Sequence, residues 1–279
     1  MAGDTVIWVD GERASALPLP DRGLEFGDGL FETLLVRGAV PLFTQLHLAR
    51  MQHGCRVLAF PPCDETLGEQ LHRAVAYIGT RQWPFSALRI TLTRGSGPRG
   101  YAPPREARPR IVISATRLGE ASPGMAAPAK LCLANTRWPT QPALAGLKHL
   151  NRLEQVMAAR EYRLAGADEA VMLDQQGRVV SVVAGNLFLS LDGRLLTAAL
   201  DQCGIAGTRR DLVMRRWAPA LGLEVVEGTL SLEQLEAADE AFFCNSLIGL
   251  RPVARFQQRS WTSHPVCEAL YQQYQGDLS

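Results

Sequence analysis

The sequence predicts an α+β fold divided into two domains, and three observations carry that expectation. Short β-branched runs of alternating polarity are interleaved with longer stretches whose apolar residues recur at helical spacing. A chain of 279 residues has room for one large domain or two ordinary ones. Gly119 to Pro128 is rich in Gly, Ser, Ala and Pro and has no periodicity, which marks a linker. The expected division is an N-terminal α/β domain over 1–118, an interdomain linker over 119–128 and a C-terminal domain over 129–279.

Composition narrows the function class. Net charge is +1, with acids and bases interspersed, so no basic face marks a nucleic-acid binder. No apolar run is long enough to span a bilayer, and Met1 to Asp10 has no basic stretch leading into an apolar one. The six cysteines (Cys55, Cys63, Cys132, Cys203, Cys244 and Cys267) are scattered, with no CxxC pair, so neither a metal site nor a disulfide framework is expected. A reducing cytoplasm is the expected compartment, with no membrane partner.

Taken in order, Val6–Val9 reads as a strand that turns at Asp10-Gly11. Asp21–Gly29 is a glycine-bearing loop, and Leu30–Val36 is the strand after it. Phe43–Phe60 has helical periodicity, with His47 and Arg50 three apart on one face. A second helix covers about Glu65–Tyr77, Ala87–Thr93 is β-branched and strand-like, and Gly95–Tyr101 is a flexible loop. Arg110–Thr116 closes the first half as a strand.

Beyond the linker, Lys130–Asn135 is a strand and Thr136–Ala145 is irregular. His149–Ala165 is a helix expected to bury Leu150, Leu153, Val156, Met157 and Leu164. Ala170–Asp174, Val179–Val183 and Asn186–Leu191 are strands. Gly204–Arg210 ends a loop and opens a helix running to about Ala220. Strands at Glu224–Glu227, Glu240–Cys244 and Leu250–Phe256, with helices at Leu232–Ala237 and Pro265–Tyr274, complete the chain.

Three features point to chemistry. Lys148 is one of two lysines, the other being Lys130, in a chain whose remaining cations are arginines. A lysine amine can lose its proton and form a Schiff base, which a guanidinium cannot. The plainer alternative is a surface lysine before a helix. Gly207 and Thr208 stand where backbone amides at a helix start make a phosphate cradle, although many such turns are only turns. Arg50 is either an anion clamp or a solvated charge, and His47 a capping or core histidine.

A larger set of motifs completes the picture: Phe26-Gly27-Asp28-Gly29-Leu30-Phe31-Glu32-Thr33, His47-Leu48-Ala49-Arg50, the loop Arg94–Tyr101, the segment Gly146–Gln155, Asn186-Leu187-Phe188, Gly207–Arg210 and Cys244-Asn245-Ser246. On these the chain resembles the branched-chain-aminotransferase class of pyridoxal-phosphate enzymes, fold type IV. Within that class it is most similar to the 4-amino-4-deoxychorismate lyases, through Asn151–Gln155 and the Arg99-Gly100-Tyr101 loop. The resemblance implies two α/β domains with the active site between them, a homodimer, and pyridoxal 5'-phosphate as cofactor. It assigns Lys148 as the Schiff-base lysine and proton-transfer group. Arg50, Gly207, Thr208, Asn245 and Ser246 would hold the cofactor, and Arg94, Arg99 and Tyr101 the carboxylates of a small-molecule substrate. The implied reaction converts aminodeoxychorismate to 4-aminobenzoate and pyruvate, a step toward folate; a class IV aminotransferase is the alternative.

One position departs from the class. Five residues before Asn186 a glutamate normally pairs with the pyridine nitrogen of the cofactor; here that position is Ser181. Serine offers hydrogen bonding without negative charge. The departure favours an elimination over a transamination and also raises the reading of a catalytically impaired protein.

Overall fold

A computed structural model describes residues 4–119 and 124–278 of the chain. It forms two compact units, Met1–Ser122 with Leu147–Asn151, and Pro123–Gly146 with Arg152–Ser279. Part of the expected linker, 120–123, lies outside the described residues.

The first unit is built on a six-stranded antiparallel sheet. Its strands are β1 (Thr5–Val9), β2 (Glu12–Arg13), β3 (Gly29–Arg37), β4 (Val40–Pro41), β5 (Phe85–Thr93) and β6 (Arg110–Arg117), in the order β2-β1-β6-β5-β3-β4. Helices α1 (Arg22–Phe26), α2 (Thr44–Val57) and α3 (Asp64–Thr80) belong to the same unit. Alternation along the strands decides what faces the core. Leu30, Leu34 and Val36 of β3, with Leu88, Ile90 and Leu92 of β5, pack with Met51, Leu67, Leu71 and Ile78 of α2 and α3. Phe31, Thr33, Arg89 and Thr91 therefore stand on the other face of the sheet. The loop expected over 21–29 contains the single turn α1, capped by Asp21, whose side chain accepts from the Gly23 and Leu24 amides.

The segment carrying Lys148 corrects the expected division. It was assigned with the C-terminal domain, yet residues 147–151 pack with the first unit. The cause is backbone pairing. His149 bridges Leu30 in antiparallel sense, the Phe31 amide donates to Lys148 O at 2.9 Å, and the Leu150 amide donates to Gly29 O at 3.0 Å. Gly27, at φ 65°, closes α1 where a Cβ would collide with Asn151, and Asn151 Nδ2 in turn donates to Gly27 O.

The second unit carries a nine-stranded mixed sheet. Its strands are β7 (Ala129–Leu133), β8 (Glu169–Leu173), β9 (Val179–Val182), β10 (Asn186–Leu191), β11 (Arg194–Ala198), β12 (Val225–Gly228), β13 (Glu240–Asn245), β14 (Gly249–Phe256) and β15 (Arg259–Ser260). They run β12-β11-β10-β13-β14-β7-β8-β9, with β15 on β14. β11 was not expected as a separate strand; it pairs with β10 across the Asp192-Gly193 turn. Helices α4 (Leu153–Leu164), α5 (Thr208–Leu212), α6 (Ala218–Ala220), α7 (Leu232–Ala237) and α8 (Pro265–Gly276) belong to this unit. α5 runs into α6 through a π turn over Val213–Trp217, so 208–220 is one continuous helical run.

Helix α4 overturns a second expectation. It starts at Leu153, because residues 148–150 are spent on pairing with β3. Its buried residues are Gln155 and Ala158, while Leu153, Val156, Met157 and Leu164 are 58–79% exposed. Periodicity correctly gave an apolar stripe, but the helix turns its small-residue side inward, over β7 and β8.

Candidate active site

In the first unit the candidate residues stand on the two faces of β3. On the helix-covered face, Glu32 is buried between the apolar Leu30 and Leu34. Arg50 donates to it twice, from Nε to Oε1 at 2.7 Å and from Nη2 to Oε2 at 2.6 Å. His47 Nδ1 lies 2.6 Å from Oε2. An ionised carboxylate only accepts, so Nδ1 is the donor. Burial pushes the Glu32 pKa up, but Arg50 and His47 outweigh it and hold the group at about 2. The fork of Arg50 is thus oriented by a fixed anion. His47 is a core residue serving Glu32, and Arg50 is no solvated charge.

On the other face, the Lys148 amine lies 4.1 Å from the centre of the Phe31 ring. The Arg89 guanidinium lies 4.0 Å from the same ring centre. Two cations, one an amine and one a planar fork, thus meet on one aromatic ring. Lys148 is half-buried, whereas Lys130 is exposed on β7 with its backbone amide held by Asp168.

The expected substrate loop is only partly where sequence placed it. Arg94 is buried, and each of its three guanidinium nitrogens is engaged: Nε on Asp28 at 2.8 Å, Nη1 on Ala59 O at 3.1 Å and Nη2 on Leu58 O at 2.7 Å. It ties the end of α2 to the start of β3 and is withdrawn as a carboxylate binder. Arg22, also buried, donates to the same Asp28 oxygen at 2.9 Å and to the carbonyls of Gly100 and Tyr101. Burial opposes ionisation of Asp28, and the two arginines hold its pKa below the ordinary value all the same. The loop end is therefore anchored from beneath, leaving Arg99 exposed and Tyr101 86% exposed with its ring edge-on to Phe26.

The second unit gathers the other candidates. Gly207 is the N-cap of α5 and, as a glycine, brings no side-chain cap to the helix start. Only glycine fits there, since a Cβ would collide with Asn186 Oδ1. Asn186 Nδ2 donates to Ile205 O at 2.9 Å and fixes the approach. Thr208 is buried beside it. Arg209 reaches Ser246 O at 3.2 Å, and Asn245 Nδ2 reaches Ala184 O at 2.9 Å, so the Asn245-Ser246 turn is tied to the same neighbourhood. Ser181, buried on β9, accepts from Trp138 Nε1 at 2.9 Å.

Comparison with known proteins now bears on this geometry. The family described as amino-transferase class IV matches residues 29–256. The chain belongs to the class IV aminotransferase family. An aminodeoxychorismate lyase of Vibrio harveyi is 32% identical over 89% of this chain and 90% of that protein. A crystal structure of 4-amino-4-deoxychorismate lyase from Pseudomonas aeruginosa superposes with a TM-score of 0.88 at 41% identity, covering 98% of this chain and 99% of that one. A putative branched-chain-amino-acid aminotransferase of Methanocaldococcus jannaschii is 29% identical over 89% of this chain and 85% of that protein. Class IV proteins are pyridoxal-phosphate-dependent enzymes, and the chain is an enzyme of that type with a fold type IV architecture. Each unit by itself holds chemistry that suits the cofactor: the first a half-buried amine and an oriented arginine, the second a helix start behind a mandatory glycine. Among the described residues no helix is long and apolar enough to cross a membrane, and all six cysteines are free.

Sequence reading missed Glu32, Asp28, Arg22, Arg89 and Trp138. Two of them carried a signal. Glu32 and Arg89 are charges in the interior of strands whose neighbouring positions are apolar or β-branched.

Proposed function

We propose that the protein is a class IV lyase that converts aminodeoxychorismate to 4-aminobenzoate and pyruvate, in the service of folate formation. The observation that carries the reading is the pairing of Lys148 with Arg89 on the Phe31 ring, an amine for proton transfer beside a fork for a carboxylate. Arg50, Gly207, Thr208, Asn245 and Ser246 would hold the cofactor, Arg50 with its fork aimed by Glu32 and the two helix-start residues through backbone amides. Bound there, pyridoxal phosphate supplies an electron sink.

Lys148 removes the proton from the ring carbon that bears the substrate amine. The carboxyvinyl ether oxygen leaves the neighbouring carbon with the bonding electrons, the ring becomes aromatic, and the released enol takes back a proton as pyruvate. No water or acceptor is consumed. Arg89, with Arg99 on the anchored loop, neutralises substrate carboxylate, and Tyr101 covers it; Arg89 takes the place first given to Arg94.

Incubation with aminodeoxychorismate and no amino acceptor is expected to release 4-aminobenzoate and pyruvate in equal amounts. Release of an oxo acid from D- or branched-chain amino acids, with none from aminodeoxychorismate, would replace the reading by a class IV aminotransferase. The Methanocaldococcus relative is what keeps that second reading in view.

A homodimer is part of the proposal. The stripe Leu153, Val156, Met157 and Leu164 is four large apolar side chains left in water on one helix, which a second copy of the chain would cover. Leu153→Glu with Met157→Glu is expected to halve the mass measured by light scattering. An unchanged dimer would move the interface elsewhere.

A further inference from the structure

Ser181 is buried on β9, opposite Met172 of β8, and meets Trp138, whose ring belongs to a buried cluster with Met172, Val180, Ala158 and Cys203. The neighbouring Val180 borders the loop that leads into the helix start, since a Cβ at Gly204 would come within 3.0 Å of Val180 Cγ1. Trp138 Nε1 lies 2.9 Å from Ser181 Oγ, with the two residues 5% and 3% exposed. An indole nitrogen is a donor under all conditions, so the direction of this bond is fixed. A hydroxyl has one proton and two lone pairs. Trp138 takes one lone pair, and the bond it makes polarises the Ser181 O–H into a better donor. One proton and one lone pair remain, and the polarised O–H favours giving a hydrogen bond to a third group.

The surrounding charges agree. Arg152 stands 5.5 Å from the centre of the Trp138 ring and adds positive potential behind the indole; burial pulls its pKa down to about 10, which leaves it charged near neutral pH. The carboxylates of the neighbouring elements are engaged elsewhere. Glu169 of β8 accepts from the Ala170 and Ala184 amides. Asp174 accepts from the Gln176 and Arg178 amides and from Arg178 Nε. Glu161 of α4 accepts from Asn135 and Thr136. Burial pushes Tyr162 and Cys203 upward, so both stay protonated and neutral.

We infer that Trp138 and Ser181 act together as a positioning pair that keeps the cofactor's ring nitrogen unprotonated, with Ser181 donating to it. The inference rests on the proposed reading together with the family resemblance, which puts position 181 at that nitrogen. A neutral ring withdraws electrons less strongly than a pyridinium. The pair therefore biases the enzyme away from reactions that need a long-lived carbanion. Elimination that ends in an aromatic ring is drawn forward by its product and tolerates a weaker sink. Trp138 is on this view a specificity determinant that touches no substrate.

The test is a nitrogen-15 NMR spectrum of the full chain loaded with pyridoxal phosphate labelled at the ring nitrogen. The wild-type resonance is expected at the unprotonated pyridine position and unmoved between pH 6 and pH 9. Ser181→Glu is expected to shift it to the pyridinium position, and Trp138→Phe to make it move with pH, because the hydroxyl then loses the donor that polarises it. A wild-type resonance at the pyridinium position overturns the inference, as does a Ser181→Glu resonance that stays where the wild type has it. If the chain takes up no labelled cofactor at all, it is the lyase reading that fails.

Discussion

Lys148→Ala is expected to abolish turnover and to leave bound cofactor that borohydride no longer attaches to the chain. Loss of the proton-transfer group alone is worth roughly 10²–10⁴-fold in rate, and loss of the covalent tether adds to it. The fold should survive. The segment 147–151 is held to β3 by backbone bonds from Phe31 and Leu150 and by Asn151 at Gly27, none of which uses the lysine side chain. Lys130→Ala is the matched control, because Lys130 is exposed on β7 and contributes its backbone amide to Asp168. Mass spectrometry after borohydride reduction reads the outcome directly. If the label stays in the Lys148 variant and disappears from the Lys130 variant, the assignment of the amine is wrong.

Glu32→Gln is expected to cost about 3–5 kcal/mol of stability and to loosen the cofactor as well. It removes the buried anion on which Arg50 and His47 converge, leaving a charged fork with a neutral partner. The pH dependence has a definite sign. Glu32 is held at about 2 in the folded chain, below its value when unfolded, so its contribution is complete above about pH 5 and is lost as pH falls toward 2. Urea unfolding at pH 6, 4 and 3 should show the wild type converging on the Glu32→Gln variant as the medium becomes acid. Parallel curves with a constant gap would mean that Glu32 acts by shape alone. Arg50→Ala separates the two roles: retention of pyridoxal phosphate should weaken by roughly ten- to a hundredfold, the worth of about 1.5–3 kcal/mol for a charged hydrogen bond. Unchanged affinity in a cofactor titration would leave Arg50 as a purely structural partner of Glu32.

Much of the chain was readable without coordinates because its signals are local. The strands over 30–36, 87–93 and 110–116, the helices at 44–57 and 64–80, and the helix start at 207–208 follow from side-chain period, turn residues and glycine, each decided within a few neighbours. Lys148 stood out by residue type, and Ser181 through the family resemblance, as the residue standing where the class has a glutamate.

What tertiary structure alone decided concerns partners distant in sequence. Arg94 and Arg50 look alike in the chain. One is spent on Asp28 and the carbonyls at the end of α2, and the other is aimed by Glu32, because strand register puts Asp28 and Glu32 where each arginine can reach them. Leu153, Val156, Met157 and Leu164 form a stripe that period alone assigns to a core, yet Ala158 and Gln155 are the residues buried. A helix repeats every 3.6 residues whichever side faces inward, and only packing selects the side. The five residues around Lys148 joined the first unit for a similar reason. Their sequence carries no record of β3, whose open backbone groups at Gly29 and Phe31 are what hold them.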